Sequence, residues 1–327
     1  MVSQPDFQAW LRAAVGTFTT TISGLAFETI PFLLMGTLLA AAIQAFVPDR
    51  ALRRLFPRNR LASIAVALVI GTIVPICECG TVPLARRLRQ KGLPLSTAVA
   101  FLLAAPLVNP MTVLSTYVAF QGTGYRMFAY RLVLGLACAL SVAILTEWAT
   151  RRDPSIDIAT PARSFRPLSP AEIPKPPRLS RSGSGPVGLS SRIAATLEHA
   201  TYDFFDSARF LVLGISVAAI ARAFIPMGAL LKGLGNPASA TATGVVSAYV
   251  LSLCSSADAF VSRSLFTPTS YSAALAFLVL GPMIDIKNTI LLSRFIKPKL
   301  LIPLAAAIFS VVFTLTLVLS PALEALR

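Results

Sequence analysis

The sequence predicts an all-α polytopic membrane protein made of two inverted repeats. Each repeat is expected to hold three transmembrane helices plus a re-entrant helical hairpin. Three observations predict this. First, the 327-residue chain is 55% hydrophobic and only 13% charged, with a mean hydropathy of +0.73. Runs at 29–47, 126–146 and 300–320 reach the ~18 apolar residues that mark a membrane span. Second, the two halves of the chain align with each other. Third, two strongly basic segments are separated by a single hydrophobic run, which a plain span would place on opposite sides of the bilayer. The alternative architecture is eight plain spans with parallel halves.

The internal alignment is gap-free where it is strongest. "ETIPFLLMGTLLAAAIQAFVP" (28–48) lies over "DSARFLVLGISVAAIARAFIP" (206–226), with eight of 21 positions identical, including Phe32, Gly36, Phe46 and Pro48 over Phe210, Gly214, Phe224 and Pro226. "TAVAFLLAAPLVNP" (97–110) lies over "AALAFLVLGPMIDI" (273–286), so that Phe101 matches Phe277, Pro106 matches Pro282 and Asn109 falls opposite Asp285. Between these anchors Cys77 and Cys254 fall opposite each other within a residue or so. Internal duplication of this kind is a signature of transporter folds. Between the halves, 151–200 is rich in Pro, Ser and Arg and cannot bury enough apolar area to order itself. The chain therefore divides into membrane repeat one (1–150), a flexible cytoplasmic linker (151–200) and membrane repeat two (201–327).

Taken in order, 14–47 is the first span, read as a span rather than a signal peptide because no convincing cleavage site follows Arg12. The loop 48–60 carries Arg50, Arg53, Arg54, Arg58 and Arg60 and belongs in the cytoplasm by the positive-inside rule. The segment 86–91, "RRLRQK", belongs there too. The intervening 61–85 is therefore expected to enter the membrane and return. At ~1.5 Å per residue, each arm reaches past the midplane of a ~30 Å hydrocarbon core. Its turn falls on "PICECG" (75–80), where prolines and a glycine are expected to build the tip of a broken element. Residues 93–118 then span outward and 126–149 return. In the second half the charges are reversed: Lys232 and Arg263 are expected outside, and Arg294, Lys297 and Lys299 inside.

A net charge of +15 would suggest nucleic acid in a soluble protein. Here the basic residues sit in short loops between apolar runs, and no phosphate loop or zinc-finger spacing is present, so nucleic-acid binding is excluded. Four cysteines, Cys77, Cys79, Cys138 and Cys254, all lie in apolar segments, which argues against a disulfide framework. The one histidine, His199, is peripheral and receives no role.

Chemistry is concentrated at the two expected tips. Cys77, Glu78 and Cys79 lie at one; Cys254, Ser255, Ser256 and Asp258 lie at the other. Inverted repeats commonly bring such tips together near the midplane. Thiols meeting there would form a soft-ligand site for Cu(I), Zn(II) or a trivalent metalloid. Cys77 and Cys79 are the candidate metal ligands, with Cys254 as a third donor. The competing reading is that buried cysteine is a small apolar filler, and this is adopted for Cys138. Ionisable groups in apolar surroundings form the second signal, since a charge near the bilayer centre costs ~2.5–3.5 kcal/mol on insertion scales. Glu78, Asp258 and Asp285 are the candidate proton-coupling acids. Glu28, Asp206 and Lys287 are weaker candidates. Asn109 and Pro106 mark a helix break that would free backbone groups for a substrate, as Pro282 and Asp285 do in the second half.

At these residues the chain resembles a known family. "PICECGTVPLARRLRQKGLPLSTAVAFLLAAPLVNPMT" is similar to the signature of the predicted permeases that include the ArsP-type organoarsenical efflux permeases. The matching elements are Cys77, Cys79 and Gly80; Arg86 to Gly92; and Ala100, Phe101, Ala105, Pro106, Asn109 and Pro110. "LCSSADAFV" and "AFLVLGPMIDIKN" in the second half also fit. The resemblance implies a multi-pass protein of the cell inner membrane that exports a thiol-reactive metalloid or soft metal species, such as a trivalent organoarsenical.

The expected activity is then proton-coupled export with Cys77 and Cys79 binding the substrate. No nucleotide-binding motif supplies another energy source, although an ATPase partner encoded elsewhere stays open, as does transport of another small sulfur or metal solute. No cofactor is expected. The partners are the lipid bilayer and a small-molecule or ion substrate, with homo-oligomerisation left open. A rival reading is a membrane enzyme that uses the Cys pair for thiol or sulfur-transfer chemistry, but Cys-x-Cys is not the Cys-x-x-Cys redox spacing. A non-transporting scaffold subunit would gain nothing from the insertion cost of the buried acids.

Overall fold

A computed structural model describes residues 4–46, 55–153 except 58, 75 and 124, 189–224, and 235–324 except 256, 268, 294, 295 and 297. The expected loops around Arg54 and Lys232, most of the linker, Pro75 and Ser256 lie outside the described residues. Among the described residues the chain is all-helical, with no strand. The helices are α1 (Gln4–Phe46), α2 (Arg60–Ile73), α3 (Glu78–Gln90), α4 (Leu95–Leu107), α5 (Pro110–Ala119), α6 (Arg126–Arg152), α7 (Leu189–Phe224), α8 (Pro237–Leu251), α9 (Asp258–Phe266), α10 (Tyr271–Met283), α11 (Ile286–Ser293) and α12 (Pro298–Glu324). Among the described residues, six stretches are long and apolar enough to cross a bilayer: Arg12–Ile43, Leu95–Ala119, Arg126–Arg152, Ala200–Phe224, Tyr271–Ser293 and Pro298–Glu324.

Two of these stretches are broken in the middle, and the sequence says why. Proline disfavours helical backbone in the residue before it, so Pro110 holds Asn109 extended (φ −71°, ψ 155°). Asn109 then caps α5, its Oδ1 accepting from the Thr112 amide at 2.8 Å. The span expected at 93–118 is thus two helices, α4 and α5, meeting at 108–109. In the second half Ile284 is extended, and Asp285 caps α11 by accepting from the Asn288 amide at 2.6 Å.

The linker is shorter at its C-terminal end than expected. α7 begins at Leu189, inside the stretch 151–200, and α6 runs through Arg151 and Arg152 before ending.

α4 and α10 form the centre. Every residue of both helices is buried, and they touch each other. A helix that is apolar all round belongs in such a position. The outer helices α1, α6, α7 and α12 turn apolar side chains outward, among them Phe27, Val133, Val212 and Val318. Such a surface is stable in lipid and not in water.

Close contacts fix relative directions. The Ser63 and Thr97 hydroxyls are 3.0 Å apart and Gly71 abuts Ala104, so α2 and α4 run the same way. α3 packs on α4 and is joined to it by the short turn 91–94. Gly244 abuts Ala273, and the Ser252 hydroxyl accepts from the Ile286 amide at 3.2 Å, so α8 and α10 also run the same way. Ser252 ends α8 in the left-handed region (φ 47°). It is the only non-glycine residue with positive φ among the described residues.

Gly80 does not build a turn, contrary to expectation. It lies inside α3 and lets that helix touch α1: a Cβ on Gly36 would sit 2.4 Å from Gly80 Cα. Gly214 plays the matching part on α7, where a Cβ would sit 2.8 Å from Lys287 Cα.

The tightest of these contacts yields a stability prediction. A Cβ at Gly244 would lie 2.3 Å from the Ala273 carbonyl oxygen, whereas Gly281 has nothing within 4 Å of its added Cβ. Gly244→Ala is expected to cost about 1–3 kcal/mol by overpacking, read as a lower Tm in detergent. Gly281→Ala is expected to leave Tm unchanged or slightly raised.

Candidate functional site

α3 begins at Glu78 with Cys77 as its N-cap residue in extended conformation and no side-chain cap bond. The chain reaches this point from Val74, also extended. The Ile76 carbonyl accepts from Asn109 Nδ2 at 3.4 Å, which ties the tip to the α4–α5 break. Cys77 and Cys79 are buried and within hydrogen-bonding reach of each other. Cys254, from the segment between α8 and α9, is buried in the same small apolar cluster, with Leu25 and Leu33 of α1 and Leu211 and Ile215 of α7. It lies within electrostatic range of Cys77, Glu78 and Lys287. The described cysteines form no disulfide. Three of the four thiols therefore converge from the two halves. Cys138 sits apart, in the main apolar core. Among the described residues, no three His, Cys, Asp or Glu side chains are arranged to hold a metal ion.

Beside the thiols lies a wholly buried charge group. Lys287 Nζ is 3.0 Å from Glu78 Oε1 and also pairs with Asp285. It donates further to the carbonyls of Ser252 at 3.3 Å and Leu253 at 3.1 Å. These carbonyls are accessible because α8 has ended at Ser252. One ammonium thus serves two carboxylates from opposite halves. Glu78 is the less satisfied of the two. Its pairing with Lys287 is Coulombic, and neither of its oxygens accepts a well-directed hydrogen bond. Asp285 is held by Lys287 and by the Asn288 amide.

Asp258 is placed in a different pair. Arg131 Nη1 and Nη2 donate to its two oxygens at 3.2 and 2.8 Å, and Nη1 donates to Thr116 Oγ1 at 2.6 Å. Both partners are about 2% exposed. Pro106 is buried in the last turn of α4. Asp206 pairs with Arg86 at 3.5 Å and with Arg209. Glu28 is half-buried on α1, within electrostatic range of Cys254.

Sequence reasoning passed over Arg131. It lies five positions into an apolar run, where an unpaired guanidinium would be expensive. That cost was the available signal. Lys287 was a weak candidate, yet it is the hub of the charge group. Its neighbour Asp285 is visible in the sequence, but the demand from Glu78 comes from the other half of the chain.

Comparisons with known proteins agree with this picture at the family level. The ArsP_1 family, described as a predicted permease, matches residues 14–320. The UPF0718 protein YcgR of Bacillus subtilis is 33% identical over 272 residues, 83% of this chain and 86% of the relative. A Streptococcus mutans protein, whose name makes it a candidate subunit of a two-component membrane permease complex, is 31% identical over 275 residues, 84% of this chain and 85% of the relative. The UPF0718 protein YraQ of Escherichia coli is 28% identical over 122 residues, 37% of this chain and 34% of the relative. No solved structure matches.

The charge group orders the expected costs of mutation. Lys287→Met leaves two buried carboxylates without a counter-charge, and removing one partner of a buried pair typically costs ~3–5 kcal/mol. Glu78→Gln leaves one ammonium for one carboxylate. Lys287→Met is therefore expected to reduce yield and Tm strongly, and Glu78→Gln only slightly, when both are measured in detergent by thermal unfolding.

Proposed function

We propose, from the premise that the chain belongs to the ArsP_1 family of predicted permeases, that it exports a thiol-reactive metalloid or soft metal species, such as a trivalent organoarsenical. The observation that carries this reading is the meeting of Cys77, Cys79 and Cys254 in one buried cluster beside Glu78 and Lys287. Thiols are good ligands for soft ions and poor ones for hard ions. In this reading Cys77 and Cys79 bind the cargo, Cys254 supports them, and Asn109 with Pro106 keeps the tip open to it. Glu78 and Asp285 exchange a proton against cargo around the fixed charge of Lys287. The family's description as a permease favours transport over an enzymatic use of the Cys pair.

Two inverted repeats, each with a re-entrant hairpin, are the architecture we attach to this reading. Several observations support it. Glu78 and Asp258 each open a short helix, α3 and α9, and each pairs with a base from the other half. α3 touches α11, as α9 touches α5. Ser96 donates to Glu147 at 2.7 Å near one end of the molecule, and Ser272 donates to Glu324 at 3.1 Å; these serines are aligned by the internal repeat. α2 runs with α4 while α3 returns along it, which suits a hairpin entering and leaving on one side. On this reading residues 1–150 and 201–327 remain the two membrane repeats. The Streptococcus mutans relative favours adding a partner subunit to the proposal, to be sought by co-purification with the tagged chain.

Topology and thiols are both testable. Arg89 is expected in the cytoplasm and Arg263 outside. Single cysteines placed at these positions in a Cys-less background should be labelled from opposite sides, and labelling of position 89 from outside intact cells would rule out the hairpin. Cys77→Ser and Cys79→Ser are each expected to abolish uptake of a trivalent organoarsenical into everted vesicles while the protein stays in the membrane. Cys254→Ser should weaken affinity, and Cys138→Ser should be neutral. Glu78→Gln should bind cargo in detergent yet fail in proton-coupled uptake. Wild-type transport by the Cys77→Ser, Cys79→Ser double variant would reduce the thiols to packing residues.

A further inference from the structure

Two sets of ion pairs, one buried and one partly buried, join the halves of the molecule, and they lie on opposite sides of the thiols. The α4–α5 break at 108–109 is the reference point. From its level α3 leads back along α4, and α5 leads onward, so the two helices diverge from it in opposite directions. On the α3 side, Arg86 and Arg87 lie ~12 Å further along the helix than Glu78. Arg87 Nε donates to Asp203 Oδ2 at 2.9 Å, and Arg86 pairs with Asp206 at 3.5 Å. Both acids belong to α7, in the other half. On the α5 side, Thr116 lies ~10 Å beyond Asn109 and accepts from Arg131, which holds Asp258 of α9. Further out, the Arg263 guanidinium of α9 lies 5.7 Å from the Phe120 ring centre. Each set thus links a helix of one half to a helix of the other, and the thiol cluster lies between them.

We propose that these sets are the two gates of the permease: Arg131–Asp258 with Thr116 closes the path on the α5–α9 side, and Arg86–Asp206 with Arg87–Asp203 closes it on the α3–α7 side. The inference rests on the transport reading above, and it gives Asp258 a role other than carrying a proton. Asp258 already has both oxygens satisfied by a guanidinium that does not lose its proton, whereas Glu78 does not. The present conformation has both gates shut, which accounts for the complete burial of the three thiols. Transport requires the gates to open in turn. The halves need only rock about the packed centre of α4 and α10, parting α9 from α6 or α3 from α7. Arg263 stacked near Phe120 extends the first gate outward.

The test reads thiol accessibility in full-length protein carrying Cys138→Ser. Right-side-out and inside-out membrane vesicles are treated with a charged, membrane-impermeant methanethiosulfonate. With both gates intact, Cys77, Cys79 and Cys254 react slowly from either face. Asp258→Asn is expected to speed the reaction by roughly tenfold or more, only from the face that carries residues 120–123. Asp203→Asn combined with Asp206→Asn should do so only from the opposite face. The swapped pair Arg131→Asp, Asp258→Arg should restore slow modification. Unchanged rates, a response in only one of the two sets, or equal acceleration from both faces, as a misfolded variant would give, overturns the proposal. No cargo is involved in this measurement. One-sided responses without organoarsenical transport leave the gates standing and refute the cargo; transport without one-sided responses refutes the gates and leaves the cargo.

Discussion

A single buried ammonium organises the centre of this protein. Lys287 lies between Glu78 and Asp285 with no exposure to solvent. Burying charge is costly unless it is paired and hydrogen-bonded, and two carboxylates share one cation here. The arrangement can exist only if other parts of the chain supply what the ammonium still lacks. α8 must end early, so that the Ser252 and Leu253 carbonyls face Lys287. α10 must break, so that Asp285 can both cap α11 and meet the ammonium. Glycine at position 214 must let α7 lie against Lys287, and glycine at 36 must let α1 lie against α3. The helix ends and the small residues near the centre are consequences of this one requirement.

The same requirement explains the chemistry on offer. Two acids open short helices, and a carboxylate at a helix N-terminus interacts favourably with the exposed amides there. Each acid receives its base from the opposite half. The halves are therefore held together by charge near the centre and by packing of α1 on α7, α6 on α12 and α4 on α10. The thiols sit at the seam, where residues from both halves meet around soft, weakly hydrated groups. A cargo bound there would be seen by both halves at once.

Much of the fold was legible in the sequence because its signals are local. Apolar runs mark the long helices, Asn109 marks a break although Pro106 lies inside the helix before it, and the basic segments around 54 and 89 are what suggested a hairpin between them. The clustering of Cys77 with Cys254 was legible through the repeat. The pairing of charges was not. Which base meets Glu78 depends on how α11 lies against α3, and Arg131 reaches Asp258 across 127 residues of chain. Composition carries no trace of either. Gly80 was misread for a related reason. A glycine a few residues from two prolines looks like a turn, and only the approach of α1 shows that its missing side chain makes room for another helix. The start of α7 at Leu189 was hidden because the polar, charged residues that precede the span resemble the linker in composition.

The arginines of α3 set an order of assembly. Within thirteen residues this helix carries Glu78, Arg86, Arg87 and Arg89, and Glu78, Arg86 and Arg87 all find counter-charges in the other half. The acid that receives Arg87 is synthesised 116 residues later. When the first half leaves the ribosome, α3 has no counter-charges and cannot yet take its final place. The first half thus completes its charge pairing only with the second present, despite its resemblance to it. A chain cut within the linker would have to bring its two pieces together before either could finish burying its charges.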